Sequence, residues 1–246
     1  MTRKAFDTAV EELIGLLIAY GPGNDRVANP WVDSVPGFDL PDAAARRVEN
    51  LRRYLRAHRE AGWMLVGQEA GYAGCRFSGI PFTGEDQLEG SRALPVFAGK
   101  GYRRSSVLPK PSSERSANIV WPCIGTSGRA VLWNSFPFHC HEPGKPLTNR
   151  AWCTRDDRDG LGERILRHIV ERTFPGAKLI AVGRKAEASL AALGYEAIGV
   201  RHPSQGGATL FRGQMAELLG APTGGDKGRA TPETRRSPRR SGARAC

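Results

Sequence analysis

Four polar residues follow directly behind four short apolar runs, and their types are those that do chemistry. Residues 63–66 lead through Gly67 and Gln68 into Glu69. Residues 129–133 lead into Asn134, residues 178–182 through Gly183 into Arg184, and residues 195–200 through Arg201 into His202. A carboxylate can face positive charge or orient a water, and an amide offers one donor and one acceptor on a single group. A guanidinium holds phosphate, and an imidazole donates a hydrogen bond or a proton. Four such groups matter only if the chain brings them to one place, so the elements that carry them come next.

The apolar runs are short and bounded by glycine or by helical patterns, as expected of buried parallel strands. Helical spacing covers residues 5–20, 41–60, 159–173, 185–193 and 208–219. In the second of these Ala45, Val48, Leu51 and Leu55 form the apolar face, after Pro41 and Asp42 at its start and before Gly62 at its end. Strands alternating with helices imply an α/β fold. The expected form is a single-domain, three-layer α/β/α arrangement with a central, mostly parallel four-stranded sheet over residues 1–220. In such sheets ligands bind outside the carboxyl ends of the strands, which is where Gln68, Glu69, Asn134, Arg184 and His202 fall. Residues 69–116 form a long segment rich in Gly, Pro and Ser, and loops of that length are functional or disordered. Residues 221–246 are expected to be a basic, disordered tail.

The charge balance narrows the partner. Among 246 residues, 36 Lys and Arg face 25 Asp and Glu, a net +11. The tail's seven basic and two acidic residues account for +5, leaving +6 on the body. Such an excess favours a polyanion. The five cysteines are widely spaced and form no CxxC pair, so a reducing cytoplasm fits and a zinc site or disulfide framework does not. His139 and His141 look like a metal pair, but no third ligand has suitable spacing, so they are expected to be solvated loop histidines. Asp156, Asp157 and Asp159 lack the bidentate Glu of a calcium loop. No metal is expected. The apolar run at residues 13–20 is too short to span a bilayer and is interrupted upstream by Glu11 and Glu12, so no membrane partner is expected. The chain is expected to be a monomer.

The motifs at the strand ends resemble those of the uracil-DNA glycosylase superfamily. Gly67-Gln68-Glu69-Ala70-Gly71-Tyr72 is similar to its first motif, a turn carrying the catalytic acid or amide. Ser78-Gly79-Ile80-Pro81-Phe82 is similar to the segment that stacks an aromatic ring on the base. Leu132-Trp133-Asn134 is similar to the strand ending in the uracil-reading Asn, and Arg201-His202-Pro203-Ser204 to the His-Pro-Ser motif. The resemblance covers residues 60–215 in the family's order.

It implies that uracil is flipped out of DNA, stacked on Phe82 and read by Asn134, with Gln68, Gly71, Tyr72 and Arg184 also lining the substrate site. Glu69 would face the positive charge that develops on the sugar, and His202 would donate to uracil O2. Ser78, Lys145, Arg150, Ser204 and Gln205 would contact the DNA. Glu69 stands at the third place of the first motif, where one branch has Asp. Gln68 stands at the second, where the iron–sulfur branch has Glu. Gly71 occupies the place where the most uracil-selective branch has a thymine-blocking Tyr, and Tyr72 follows one place later. Ala70 replaces the usual Pro, and Gln205-Gly206-Gly207 leaves the duplex wedge unassigned. The N-terminal cysteines of the iron–sulfur branch are missing, and Cys140 and Cys153 alone cannot hold a cluster, so no cofactor is expected. The leaving base departs as a stabilised anion, so a second carboxylate is unnecessary, and none stands at the strand ends. Arg184 holds a phosphate or pairs with Glu187. The rival readings are a non-catalytic or covalently trapping uracil-DNA binder, a glycosylase that also takes hypoxanthine or xanthine, and a nucleotide-binding regulator. The last lacks a phosphate-cradling glycine signature after the first strand.

Overall fold

A computed structural model describes residues 1–220; the tail at 221–246 lies outside the described residues. The elements run α1 (Arg3–Ala19), β1 (Val27–Ala28), α2 (Ala43–Ala57), β2 (Trp63–Glu69), α3 (Cys75–Ser78), α4 (Glu85–Leu88), α5 (Ala117–Ile124), β3 (Ala130–Phe136), β4 (His139–Cys140), α6 (Leu161–His168), β5 (Lys178–Val182), α7 (Arg184–Ala192), β6 (Ile198–Val200) and α8 (Ala208–Leu219). Strands β3-β2-β5-β6, in that order, form one parallel sheet. A two-residue antiparallel ribbon pairs β1 with β4. Helix α6 packs on β3 with α1 behind it, α7 packs along β5 and β6, and α5 packs against α8. With the strand order β3-β2-β5-β6, the right-handed rule for parallel crossovers puts the connection carrying α5 on one face of the sheet and those carrying α6 and α7 on the other, which makes three layers. Among the described residues no helix is long and apolar enough to cross a membrane.

The chain leaves β2 toward β3 on one side and leaves β5 toward β6 on the other. The direction therefore reverses between β2 and β5, and a crevice opens there at the carboxyl edge. Two strands run further into that crevice than their apolar runs predict. β2 continues through Gly67 and Gln68 to Glu69, and β3 continues through Asn134 to Phe136, because Gly67 pairs with Asn134 and Glu69 with Phe136 in register. Gly67 interrupts the hydrophobic pattern but not the ladder. Helix α6 begins after two non-helical residues with positive φ, Asp159 and Gly160, and its last turn widens into a π-helical turn at Ile169–Thr173.

Burial of polar groups orders the long segment after β2. Asp39 receives Arg47 and Arg76 at 2.8 Å each, and all three side chains are fully buried. The Asn50 amide donates to Ser78 and Arg103 carbonyls and accepts from Arg103 N–H. Glu85 accepts from the Ser105 and Ser106 backbone at 2.7 and 2.9 Å. These groups satisfy loop backbone that would otherwise be buried without partners. They also correct the predicted face of α2. Ala45 is exposed, whereas Arg47, Asn50 and Tyr54 point inward beside Leu51 and Leu55. Helix α5 has no counterpart among the predicted elements; it carries Pro122 near its end and buries Val120, Trp121 and Ile124.

Candidate active site

Gly67 is the point where the site is assembled. A Cβ built there would lie 2.4 Å from Phe82 Cζ and 2.8 Å from Asn134 Oδ1, so the missing side chain is what lets an aromatic ring and an amide meet over β2. Phe82 reaches this place at φ 51°, a left-handed conformation unusual for a bulky residue. The Trp121 indole holds it there, donating to Phe82 O at 3.0 Å and to Thr83 Oγ1 at 3.2 Å. Asn134 is only 3% exposed, yet its amide has no hydrogen-bond partner among the described residues. Buried amides are ordinarily paired, so this one is left for a ligand.

Glu69 closes β2 on the same edge. Its Oε2 accepts from the Trp152 backbone N–H at a long 3.5 Å, and Trp152 is fixed by stacking on Phe136 at 5.1 Å. Burial pushes the Glu69 carboxyl up to about 7, against the smaller opposing pull of that N–H and of the Lys185 and Arg150 charges. Across the crevice, the Ser204 backbone N–H donates to His202 Nδ1 at 3.1 Å, and Ser204 Oγ lies 2.7 Å from the same nitrogen. Nδ1 is therefore an acceptor, and a neutral His202 carries its proton on Nε2. Burial and then the Arg201 charge hold this imidazole below its usual value, so it is neutral near pH 7.

A cavity of about 1090 Å³ joins these groups, with Gln68, Glu69, Gly71, Phe82, Asn134, Arg184, His202, Ser204 and Gln205 in its lining. Arg184, Lys185 and Arg201 are exposed at its rim. Among the described residues Arg184 forms no ion pair with Glu187. Gln205 reaches the cavity with φ 51°.

Four residues expected in the site lie apart from it. Tyr72 is 38% exposed outside the cavity, its backbone N–H bound to Asn149 Oδ1. Ser78 is fully buried, its hydroxyl closed on Ile80 N and O, so it does not reach DNA. Arg150 spends its guanidinium on both Asp156 oxygens at 2.9 Å, and Lys145 sits on an exposed turn away from the cavity. The expected solvated histidines are also corrected. His139 and His141 are buried, and the His139 ring nitrogens lie 2.9 and 3.1 Å from Ala70 O and Pro146 O. Burial lowers His139 to about 4. Among the described residues no cluster of three His, Cys, Asp or Glu side chains could hold a metal.

Three cavity residues, Glu114, Ser116 and Asn149, come from loops that the strand pattern does not reach. Asn149 belongs to the segment after β4. Glu114 adds a carboxylate to those of Glu69 and of Glu187 on α7. Its Oε2 is buried with no partner among the described residues, and its Oε1 lies 3.2 Å from where a Gly71 Cβ would be. The clustering of Gly67, Gly71 and Gly74 is the one sequence signal of the space it fills.

Together these features define an α/β protein with a deep polar cleft at its topological switch point. No protein-family model and no curated protein matches the chain. Among solved structures it is similar to the crystal structure of wild-type Pedobacter heparinus SMUG2, with a TM-score of 0.59 and 14% identity. The match covers 87% of this chain and 97% of that one. At this identity the likeness shows a shared fold.

Proposed function

We propose that the chain is a DNA glycosylase that hydrolyses the N-glycosidic bond of uracil in DNA and leaves an abasic site. The observation that carries this reading is the buried, unpartnered Asn134 amide facing the Phe82 ring across Gly67. A flipped uracil offers N3–H to the amide oxygen and O4 to the amide nitrogen; cytosine presents the reverse pattern and leaves both unmet. Stacking on Phe82 offsets part of the cost of unstacking the nucleotide. The Nε2–H of His202 suits the negative charge that grows on O2 as the bond breaks, worth on the order of 3 kcal/mol for a preorganised donor. Glu69, when ionised, faces the positive charge on the sugar and orients the water that attacks it. Arg184, Lys185 and Arg201 at the rim suit flanking phosphates. The fold shared with SMUG2 supports the same reading.

The test is incubation with an oligonucleotide holding one uracil, followed by alkali. Strand cleavage that is lost in Glu69→Gln and His202→Ala is the expected result. Absence of cleavage with wild type, where a reference glycosylase cleaves, refutes the reading. A gel-stable protein–DNA adduct in place of base release would instead make the protein a covalent trap.

A further inference from the structure

Residues 146–156 form a strap across the turn that carries Glu69, and they touch it at both ends. Asn149 Oδ1 accepts from Tyr72 N–H at 2.9 Å. Among the described residues, Trp152 N–H is the one hydrogen-bond partner of the Glu69 carboxylate. The Trp152 ring stacks on Phe136, the register partner of Glu69 on β3. The strap has little apolar surface with which to stay there. Ala151, Cys153, Thr154 and Arg155 are exposed, Trp152 is half-buried, and Asp156 alone of residues 151–156 is buried.

Polar bonds hold it instead, and they converge on one ion pair. Arg150 donates to both Asp156 oxygens at 2.9 Å, to Ala151 O at 2.7 Å, and more loosely to the Arg26 and His141 carbonyls at 3.3 Å. Its own backbone N–H donates to Cys140 O at 3.0 Å. Asp156 Oδ2 also accepts from Cys153 N–H at 2.8 Å, and Asp156 O accepts from the Tyr20 hydroxyl at 2.7 Å. Trp152 lies between Arg150 and Cys153, both pinned by this pair, so the direction of its N–H follows from the pair. We propose that Arg150 and Asp156 are positioning residues that act through Trp152 N–H to fix the Glu69 carboxylate in the cleft. This rests on Glu69 being the working carboxylate of the reading above. A bidentate guanidinium–carboxylate fork supplies the rigidity. Misplacing a catalytic group by about 1 Å costs on the order of a hundredfold in rate.

Charge and position predict different outcomes. The charges facing Glu69 are Lys185 on α7 and Arg150, and both favour its anion, as does the Trp152 N–H; burial keeps the neighbouring Cys140 thiol on β4 neutral. Asp156→Asn removes a negative charge, which by charge alone would lower the Glu69 midpoint. Arg150→Lys keeps the charge but gives up the fork, which by charge alone would leave the midpoint in place. Loss of the Trp152 N–H raises it in both variants. The Glu69 side-chain carboxyl is titrated in the free protein by carbon-13 NMR and assigned with Glu69→Gln. Single-turnover uracil release at saturating DNA is measured on the same proteins, below the onset of their thermal melts. Both variants are expected to titrate about half a pH unit or more above wild type and to release uracil about tenfold or more slowly at pH 7. A midpoint that fails to rise in even one variant overturns the proposal, because a merely structural role lowers the folded fraction without retitrating a carboxyl. If wild type still releases uracil, that result leaves the glycosylase reading intact. Raised midpoints without release by wild type refute that reading and keep the hold of the pair on Glu69. Neither raised midpoints nor release sinks both.

Discussion

The protonation of Glu69 makes the sharpest prediction. As an anion it would face the sugar cation and orient water; as a neutral acid it would do neither. Its carboxyl is raised from the ordinary 4.5 to about 7 by burial. About one-eleventh of the free enzyme is then ionised at pH 6 and about ten-elevenths at pH 8, so kcat/KM on uracil-DNA should rise roughly tenfold across that interval. An ordinary Glu would give a flat line there. Burial and the Arg201 charge lower His202 from its ordinary value, so it is neutral at pH 7 and above and the rise from pH 7 to 8 belongs to Glu69. Glu114 titrates in the same range, so Glu114→Gln is the control. The limb should survive in Glu114→Gln and vanish in Glu69→Gln, whose remaining activity should be on the order of a hundredfold lower. Single-turnover base release from pH 5.5 to 8.5 decides the matter. A flat wild-type profile, or a limb that persists in Glu69→Gln, refutes the assignment of Glu69 as the working anion.

The same shift bears on stability. Between pH 4.5 and 7 the unfolded chain ionises Glu69 while the folded one holds its proton, so stability is lost as pH rises and stays lost above 7, by about 3 kcal/mol. Glu69→Gln should therefore raise Tm at pH 8 by several degrees and leave it nearly unchanged at pH 4, as read by calorimetry. His202→Ala should lower base release on the order of a hundredfold or more while DNA affinity, measured by anisotropy, changes little. Ser204→Ala should cost no more than about threefold, because the backbone N–H that sets the tautomer remains. Gly67→Ala should drive Phe82 and Asn134 off their positions, abolishing release and costing about 1–3 kcal/mol in urea unfolding.

What was legible in the sequence is what depends on local pattern. The run at 178–182 is β5 to the residue, and the helix at 208–219 is α8, because short apolar runs and a continuous helical period report on nearest neighbours. The ends of β2 and β3 were misjudged for a specific reason. Gly67 reads as a turn in sequence, whereas in the fold it is a strand residue whose bareness admits Phe82 and Asn134. The inward face of α2 was equally hidden. Arg47 and Asn50 are buried because Asp39, Arg76 and loop carbonyls reach them from distant segments, and no hydrophobic period reports such partners. Glu114 and Asn149 depend entirely on that long-range packing. The strand-edge rule could find Glu69, Asn134, Arg184 and His202, but not residues delivered by loops.

Strain alone does not mark the site. Among the described residues three non-glycines have left-handed backbone: Phe82 and Gln205 line the cavity, but Asp159 merely precedes α6. The polar groups of the cleft add a second mark. Around the cavity and among the described residues, the Asn134 amide makes no hydrogen bond, Glu114 has an orphaned buried oxygen, and Glu69 holds one long bond. Each raises the free energy of the empty fold, and a flat base with donors and acceptors on its edges would relieve the Asn134 amide. Away from the cleft the Asp39 carboxylate is paired with Arg47 and Arg76, whereas among the described residues neither Glu69 nor Glu114 has an ion-pair partner. The stability gained by Glu69→Gln at high pH would measure part of what a carboxyl buried in that cleft costs the fold.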